Sequence, residues 1–391
     1  NTIALSSMTG SGNGRAGLYL LNSSSNSIQT SYFSGPRGYG AYFNTGSNSN
    51  TVSQSTITSR GAGGAFSLAG ASSNTVQSSF ILGPNGHGLI LSDSRYNTIS
   101  QSTITSGGAN ASGLYIAAAS SNVIQASFIS ATGNISYGAS LQSNSNGNTI
   151  SLSTMARSGS GDALAFSQSS SNTVTQSYIF NPSGYGLTLI TNSNGNTISL
   201  STMTSNAAGS QPLYLWNASS NAITQSYISN PSGNAVNLLT NANGNTISLS
   251  TMTSNAAAYR TLYFFGASSN AVTQSFISNP KGDAAYVYNN SNGNTISLST
   301  MTSNAAGYYP LYISRSSATV VDDCYVQGST AAYVHGSTNT SIINGSMLVS
   351  TWTKGIGLQM GGGSVNLTLS SSTVQGGIQG AAIFLDKSNT G

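Results

Sequence analysis

The chain has 391 residues, and only 4% are charged, against about 25% in ordinary soluble domains. It has no Glu, and its net charge of +4 comes from scattered residues such as Arg15, Arg37, Arg60 and Arg95, not from the clustered basic face that nucleic-acid binding requires. No apolar run approaches the ~20 residues that span a bilayer, so no membrane insertion is expected, and the single cysteine, Cys324, excludes a disulfide framework.

From the first residue the chain repeats. Asn occurs at 1, 26, 50, 74, 97, 122, 148, 172, 196, 221, 245, 270 and 294, each followed two residues later by Ile or Val and five later by Ser. The steps are 23 to 26 residues. Units this small cannot bury a core alone, so the pattern is that of a solenoid.

Each unit holds three short strand candidates, rich in β-branched and aromatic residues and separated by Gly, Asn, Ser and Pro. One coil type reads Asn-Thr-Ile-Ser-Leu-Ser-Thr-Met-Thr-Ser from Asn196 to Ser205, then Leu213-Tyr214-Leu215. The other reads Asn-Thr-Val-Thr-Gln-Ser-Tyr-Ile from Asn172 to Ile179, then Asn181-Pro182-Ser183-Gly184 and Leu187-Thr188-Leu189. The two alternate, so the sequence unit is two coils. Ile198 and Met203 both face inward only if the chain bends between them, at Ser201. The expected fold is all-β, a single parallel β-helix of about 24 residues per coil and roughly 16 coils, its Asn and Ser rows forming hydrogen-bonded ladders. Residues 1–314 read as regular coils and 315–391 as irregular coils or a cap of the same solenoid.

The recurring string resembles the right-handed parallel β-helix repeats of the pectate-lyase-like superfamily, Asn-x-Ile-x-x-Asn-x-Ile followed by Gly-Ile-x-Leu. Ser stands in place of the second Asn, as at Ser177, Ser201 and Ser226. The resemblance covers residues 1–315 clearly and the remainder loosely. It implies the right-handed fold and leaves function open, since that superfamily holds lyases, hydrolases, epimerases, phage tailspikes and surface fibres. Polygalacturonase-like members use clustered Asp, a Gly-His-Gly and a basic residue on one face. Gly86-His87-Gly88 lies about ten coils from Asp322-Asp323, and other coils carry Gly38-Tyr39-Gly40 or Gly184-Tyr185-Gly186 at that place, so His87 reads as a loop variant. Adjacent Asp322 and Asp323 point to opposite faces of a strand, and together with His335 they read as a polar cap. Pectate lyases hold Ca²⁺ with several acids; no three acids fall on neighbouring turns here. No catalytic residue, metal or cofactor is expected.

Two outward rows remain. Six residues after each Asn the chain alternates Ser or Thr with an aromatic, giving Tyr32, Phe80, Phe128, Tyr178, Tyr227 and Phe276, one every second coil and ~9.6 Å apart. A second row in the Leu-x-Leu strands holds Tyr19, Tyr42, Tyr115, Tyr214, Tyr263, Tyr286 and Tyr312. Either row can serve ladder packing, subunit packing or sugar stacking; ice binding through paired Thr such as Thr56 and Thr58 is disfavoured by the interleaved rings. The chain starts Asn1-Thr2-Ile3, which reads as a processed or excised product, and ends in a Ser-Asn-Thr string with Asn389 and Thr390 that elsewhere precedes Ile or Val. These ends are expected to dock head to tail, giving a homopolymer. The leading expectation is a non-enzymatic extracellular or cell-surface structural protein, a filament or adhesin; the alternative is a β-helix that binds or degrades polysaccharide.

Overall fold

A computed structural model describes residues 1–337, 341–363 and 366–386. These residues contain no helix and 48 short strands, sixteen for each of three parallel sheets. The fold is an all-β parallel β-helix. The chain divides into two compact units, 1–202 and 203–391, each built in the same way.

In the first unit, sheet A takes the strand after each repeat Asn (Thr51–Ser53, Thr75–Gln77, Thr98–Ser100), sheet B the strand after each repeat Ser (Thr56–Ser59, Phe80–Gly83, Thr103–Ser106), and sheet C the third strand (Gly64–Ala69, His87–Ser92, Ser112–Ala117). Each strand pairs in parallel with its equivalent one coil on, as Thr75 with Thr98, Phe80 with Thr103 and Leu89 with Leu114. The second unit repeats this with Thr246–Ser248, Thr251–Ser254 and Arg260–Phe265 and their successors. The register continues past residue 315. Val321 pairs with Ile296 and Ile343, and Tyr325 with Thr300 and Met347. There Thr319 takes the Asn place and Cys324 the Ser place.

The interior is a set of aliphatic columns with near-zero exposure: Ile99, Ile124 and Ile150 from sheet A, Ile104, Ile129 and Met155 from sheet B, Leu91, Ile116 and Leu141 from sheet C. Two polar ladders line it. From Asn26 to Asn172, and again from Asn221 to Asn270, the repeat Asn uses its main-chain N–H and its Nδ2 to donate to Oδ1 of the Asn one coil on, as Asn122 does to Asn148 at 3.0 Å for both. The second Nδ2 hydrogen reaches a carbonyl of the preceding coil, Asn148 to Ala119 at 3.0 Å. Every donor and acceptor of the buried Asn148 side-chain amide is thus used.

At the bend expected near Ser201, the turn itself is made by the preceding residue, which adopts the left-handed conformation on coil after coil. Leu152 has φ 50°, Leu249 φ 52° and Gln274 φ 49°. The Ser closes the corner: the Ser226 amide donates to Ser250 Oγ at 3.1 Å, and Ser250 Oγ donates to the Ser248 carbonyl at 2.7 Å. The φ reversal between Ile247 and Met252 turns both side chains inward, at 1% and 0% exposure.

Two stability outcomes follow from these ladders. Asn148→Ala leaves the buried Asn122 donors unpaired and costs roughly 3 kcal/mol, whereas Thr149→Ala on the outward side of the same strand stays within ~0.5 kcal/mol; urea midpoints compare the two. Leu249→Asn places a residue that tolerates positive φ at the corner and raises stability by about 0.5–1 kcal/mol, read as a higher thermal midpoint.

Candidate functional site

The outward row of sheet B is where the sequence places it. In the first unit Ser7, Tyr32, Thr56, Phe80, Thr103, Phe128, Thr154 and Tyr178 are consecutive register partners. In the second, Tyr227, Thr251, Phe276, Thr300, Tyr325 and Met347 continue in the same way. The six rings are equally exposed, from 40% at Phe276 to 43% at Phe128 and Tyr227. No other aromatic ring lies on Tyr32, Phe80, Phe128, Tyr227 or Phe276 among the described residues, while Tyr178 stacks on Phe180 at 5.8 Å. Tyr32 shares a hydrogen bond with Thr58 Oγ1 at 3.2 Å, and that bond leads Ser34 and Arg60 in holding its phenol below the usual range.

Sequence reading missed a second exposed apolar set beside this row. From Asn148 onward the left-handed corner carries Leu on the coils whose sheet B residue is Thr, at Leu152 and Leu200 in one unit and Leu249 and Leu298 in the other, all 51–56% exposed, whereas the Thr56 and Thr103 coils carry Gln54 and Gln101 there. Its signal was present in the Leu/Gln alternation four residues after each Asn from Asn148 to Asn294.

The sheet C row behaves differently. Tyr19 is exposed and pairs with Tyr42, while Tyr115 packs against His87 at 4.8 Å and Tyr214 pairs with Asn237. Tyr263, Tyr286, Tyr312 and Tyr333 occupy four successive rungs. Their rings stack at 5.6, 4.5 and 5.1 Å, the last two pairs within 7° and 10° of parallel. Tyr286, expected to face outward, is only 8% exposed because its neighbours cover both faces. Tyr309, from the preceding loop, lies 5.3 Å from Tyr312 and 5.0 Å from Tyr333. Burial pushes the Tyr309 phenol up to about 12.

Charges are few and individually accommodated. Arg260 Nε lies 3.8 Å from Asp283, its rung partner, and the guanidinium sits over the Tyr263 and Tyr286 rings at 5.5 and 5.0 Å. Asp283 accepts the Tyr309 amide at 2.8 Å, yet its burial pushes the carboxyl up to about 6. Asp162 accepts Thr188 Oγ1 at 2.7 Å and is likewise raised by burial to about 6. His87 accepts the Ser112 amide on Nδ1 at 2.9 Å, and burial lowers its pKa, so the ring is neutral. Asp322 closes a sheet A strand and accepts Asn344 Nδ2 at 2.7 Å, Asp323 occupies a left-handed corner, and His335 stands on sheet C against Tyr333 at 5.6 Å. The three lie on different parts of the coil. Cys324 is buried in the Ser column, and its thiol is pushed up to about 11. No group of three or more metal-ligating side chains occurs among the described residues.

Three arginines that look scattered in sequence share one corner. The Gly14 amide donates to the Arg37 carbonyl at 3.1 Å, a Cβ on Gly61 would lie 2.8 Å from the Gly38 oxygen, and Asn85 Nδ2 donates to the Arg60 carbonyl at 2.9 Å. Arg15, Arg37 and Arg60 therefore occupy successive rungs, exposed and without an ion pair among the described residues. A cleft of about 380 Å³ with Tyr32, Thr58, Arg60 and Pro84 lies on one side, and one of about 370 Å³ with Arg15, Tyr19, Tyr39 and Tyr42 on the other. Of the end residues, Asn1 donates through Nδ2 to Asn26 Oδ1 at 3.0 Å, and Thr2 and Ile3 pair with Ser27 and Ile28. Asn389 and Thr390 lie outside the described residues.

The family model for the right-handed β-helix region matches residues 1–155, 162–308 and 262–391, and the chain belongs to that family. No curated protein sequence matches it. Among solved structures, a chain of the Vag8–C1 inhibitor complex is 12% identical with a TM-score of 0.54, covering 99% of this chain and 100% of that one. The mannuronan C-5 epimerase AlgE4 A-module of Azotobacter vinelandii is 11% identical with a TM-score of 0.47, covering 88% of each chain. A tailspike mutant of E. coli bacteriophage HK620, in complex with a hexasaccharide, is 11% identical with a TM-score of 0.44, covering 93% of this chain and 61% of the other. These likenesses are of fold.

Asp283 generates a pH dependence of known sign. Its folded pKa, about 6, stands above the ordinary aspartate value of about 3.9, so the native state binds the extra proton and stability falls as pH rises from about 4 to 6. The loss is roughly 3 kcal/mol for this group. Urea midpoints at pH 4 and pH 7 should differ in that direction, and Asp283→Asn should shrink the difference.

Proposed function

We propose that this member of the right-handed β-helix family is a non-catalytic, extracellular or surface-exposed polysaccharide-binding protein whose contact face is the outward row of sheet B. The observation that carries the reading is the strict alternation of an exposed ring with a Thr hydroxyl. Rings two coils apart, ~9.6 Å, match the disaccharide step of an extended glycan. An aromatic face takes the apolar C–H side of a pyranose, and the intervening hydroxyls of Thr103 and Thr154 take its hydroxyl groups. The face between Tyr32 and Tyr178 carries no carboxylate to repel an acidic chain, and Arg60 in the cleft beside Tyr32 would take a negatively charged substituent.

The corner leucines support a second reading, a fibre subunit. Leu249 and Leu298 alternate with Tyr227 and Phe276 to make an uncharged apolar edge, the kind of surface that associates with protein.

The two readings separate on one pair of variants. Phe80→Ala with Phe128→Ala should weaken binding to the best ligand on a glycan array about 30-fold, near 1 kcal/mol per ring, without changing sedimentation. Leu249→Ser with Leu298→Ser should leave glycan binding intact, and a loss of assembly in that variant favours the fibre. Unaltered glycan binding in the Phe pair would remove the first reading.

A further inference from the structure

The four consecutive sheet C tyrosines of the second unit form no open platform, because their faces are filled by one another. A different chemistry remains to them. We infer that the column Tyr263–Tyr286–Tyr312–Tyr333 is an oxidative cross-linking site, at which adjacent coils are joined by a dityrosine bond centred on Tyr312.

Tyr286 and Tyr312 meet at 4.5 Å and 7°, and Tyr312 and Tyr333 at 5.1 Å and 10°, each pair held in register by strand pairing on the same sheet. At these separations the two rings of each pair lie directly against each other, the Tyr286–Tyr312 pair near van der Waals contact. Tyr312 and Tyr333 keep part of their edges in solvent, where an oxidant can reach the phenol. Arg260 stands over Tyr263 and Tyr286 but not over Tyr312 or Tyr333, and a cation on a ring face opposes electron removal from that ring. The radical is thereby steered to the two outer rings, and both well-stacked pairs share Tyr312. With one cysteine, itself buried, the chain can form no internal disulfide.

In the step itself, a peroxide spent in one-electron turns removes one hydrogen atom, a proton and an electron, from each of two phenols. The two phenoxyl radicals join at their ortho carbons, forming one C–C bond. The two ortho hydrogens then move to oxygen and restore both phenols. Two tyrosines and one hydrogen peroxide give one dityrosine and two waters.

The test uses the full chain and a light-driven ruthenium oxidant with limiting persulfate, which acts in both buffer and urea. Dityrosine is read by its fluorescence and by the loss of two hydrogens in a mapped cross-linked peptide. The expected result is an intrachain link from Tyr312 to Tyr286 or Tyr333, in at least tenfold higher yield than from the urea-unfolded chain. Tyr312→Phe, which keeps the ring and its packing, should lower intrachain dityrosine at least fivefold, while Tyr178→Phe leaves it unchanged. Equal yield in Tyr312→Phe, links confined to other tyrosines or to separate chains, or no dityrosine would each overturn the proposal.

Discussion

Every residue of a regular coil has its equivalents ~4.8 Å above and below, so a side chain persists in a column only if it is a good neighbour to its own kind. Asn, Ser, Ile and Tyr meet that condition; like charges do not. Two like charges at that spacing repel by about 3.5 kcal/mol at an effective dielectric constant near 20. The near absence of charge follows from this geometry. The exceptions obey it too: Arg260 has Asp283 as its rung partner, Arg157 has Ala131, and Asp322 has Ser297 and Asn344. Arg15, Arg37 and Arg60 break the rule only in exposed loops, where water screens them.

The same stacking explains why strained corners are tolerated. A left-handed Leu costs about 1 kcal/mol or more relative to a relaxed turn, yet the corner recurs at Leu152, Leu200, Leu249 and Leu298. The reversal it supplies brings Ser onto the axis of the ladder, where its amide and hydroxyl are both paired. Cys324 shows how much of this depends on shape. Its thiol takes the Ser position and reaches the Asp322 and Ile296 carbonyls at 3.3 Å, and the coil keeps its register.

The inward columns, the Asn and Ser ladders and the alternating sheet B row were legible in sequence because each has a period that survives coils of unequal length. Features set by the loops were not. Arg15, Arg37 and Arg60 step by 22 and 23 residues, out of phase with the 25- and 24-residue Asn steps of the same coils, and occur on three coils only, so their meeting in space does not show against the marker row. The coils beyond residue 315 were read as irregular because Thr319 and Cys324 replace the marker residues, while strand pairing ignores those identities. Burial of Tyr286 was hidden for another reason. Alternation along a strand tells which way a side chain points, and says nothing of whether the rungs above and below leave its faces open.

That distinction separates the two aromatic rows. Rings on consecutive rungs at 4.5 to 5.6 Å are already near van der Waals contact, so no third group enters between them. Rings on alternate rungs, as at Phe80 and Phe128, are separated by the small Thr103 and stay 41% and 43% exposed. One row is spent on its own cohesion and on whatever chemistry its rings can do together. The other keeps its rings exposed, one at every second rung, and the polysaccharide proposed for it is a polymer whose own repeat matches two coils.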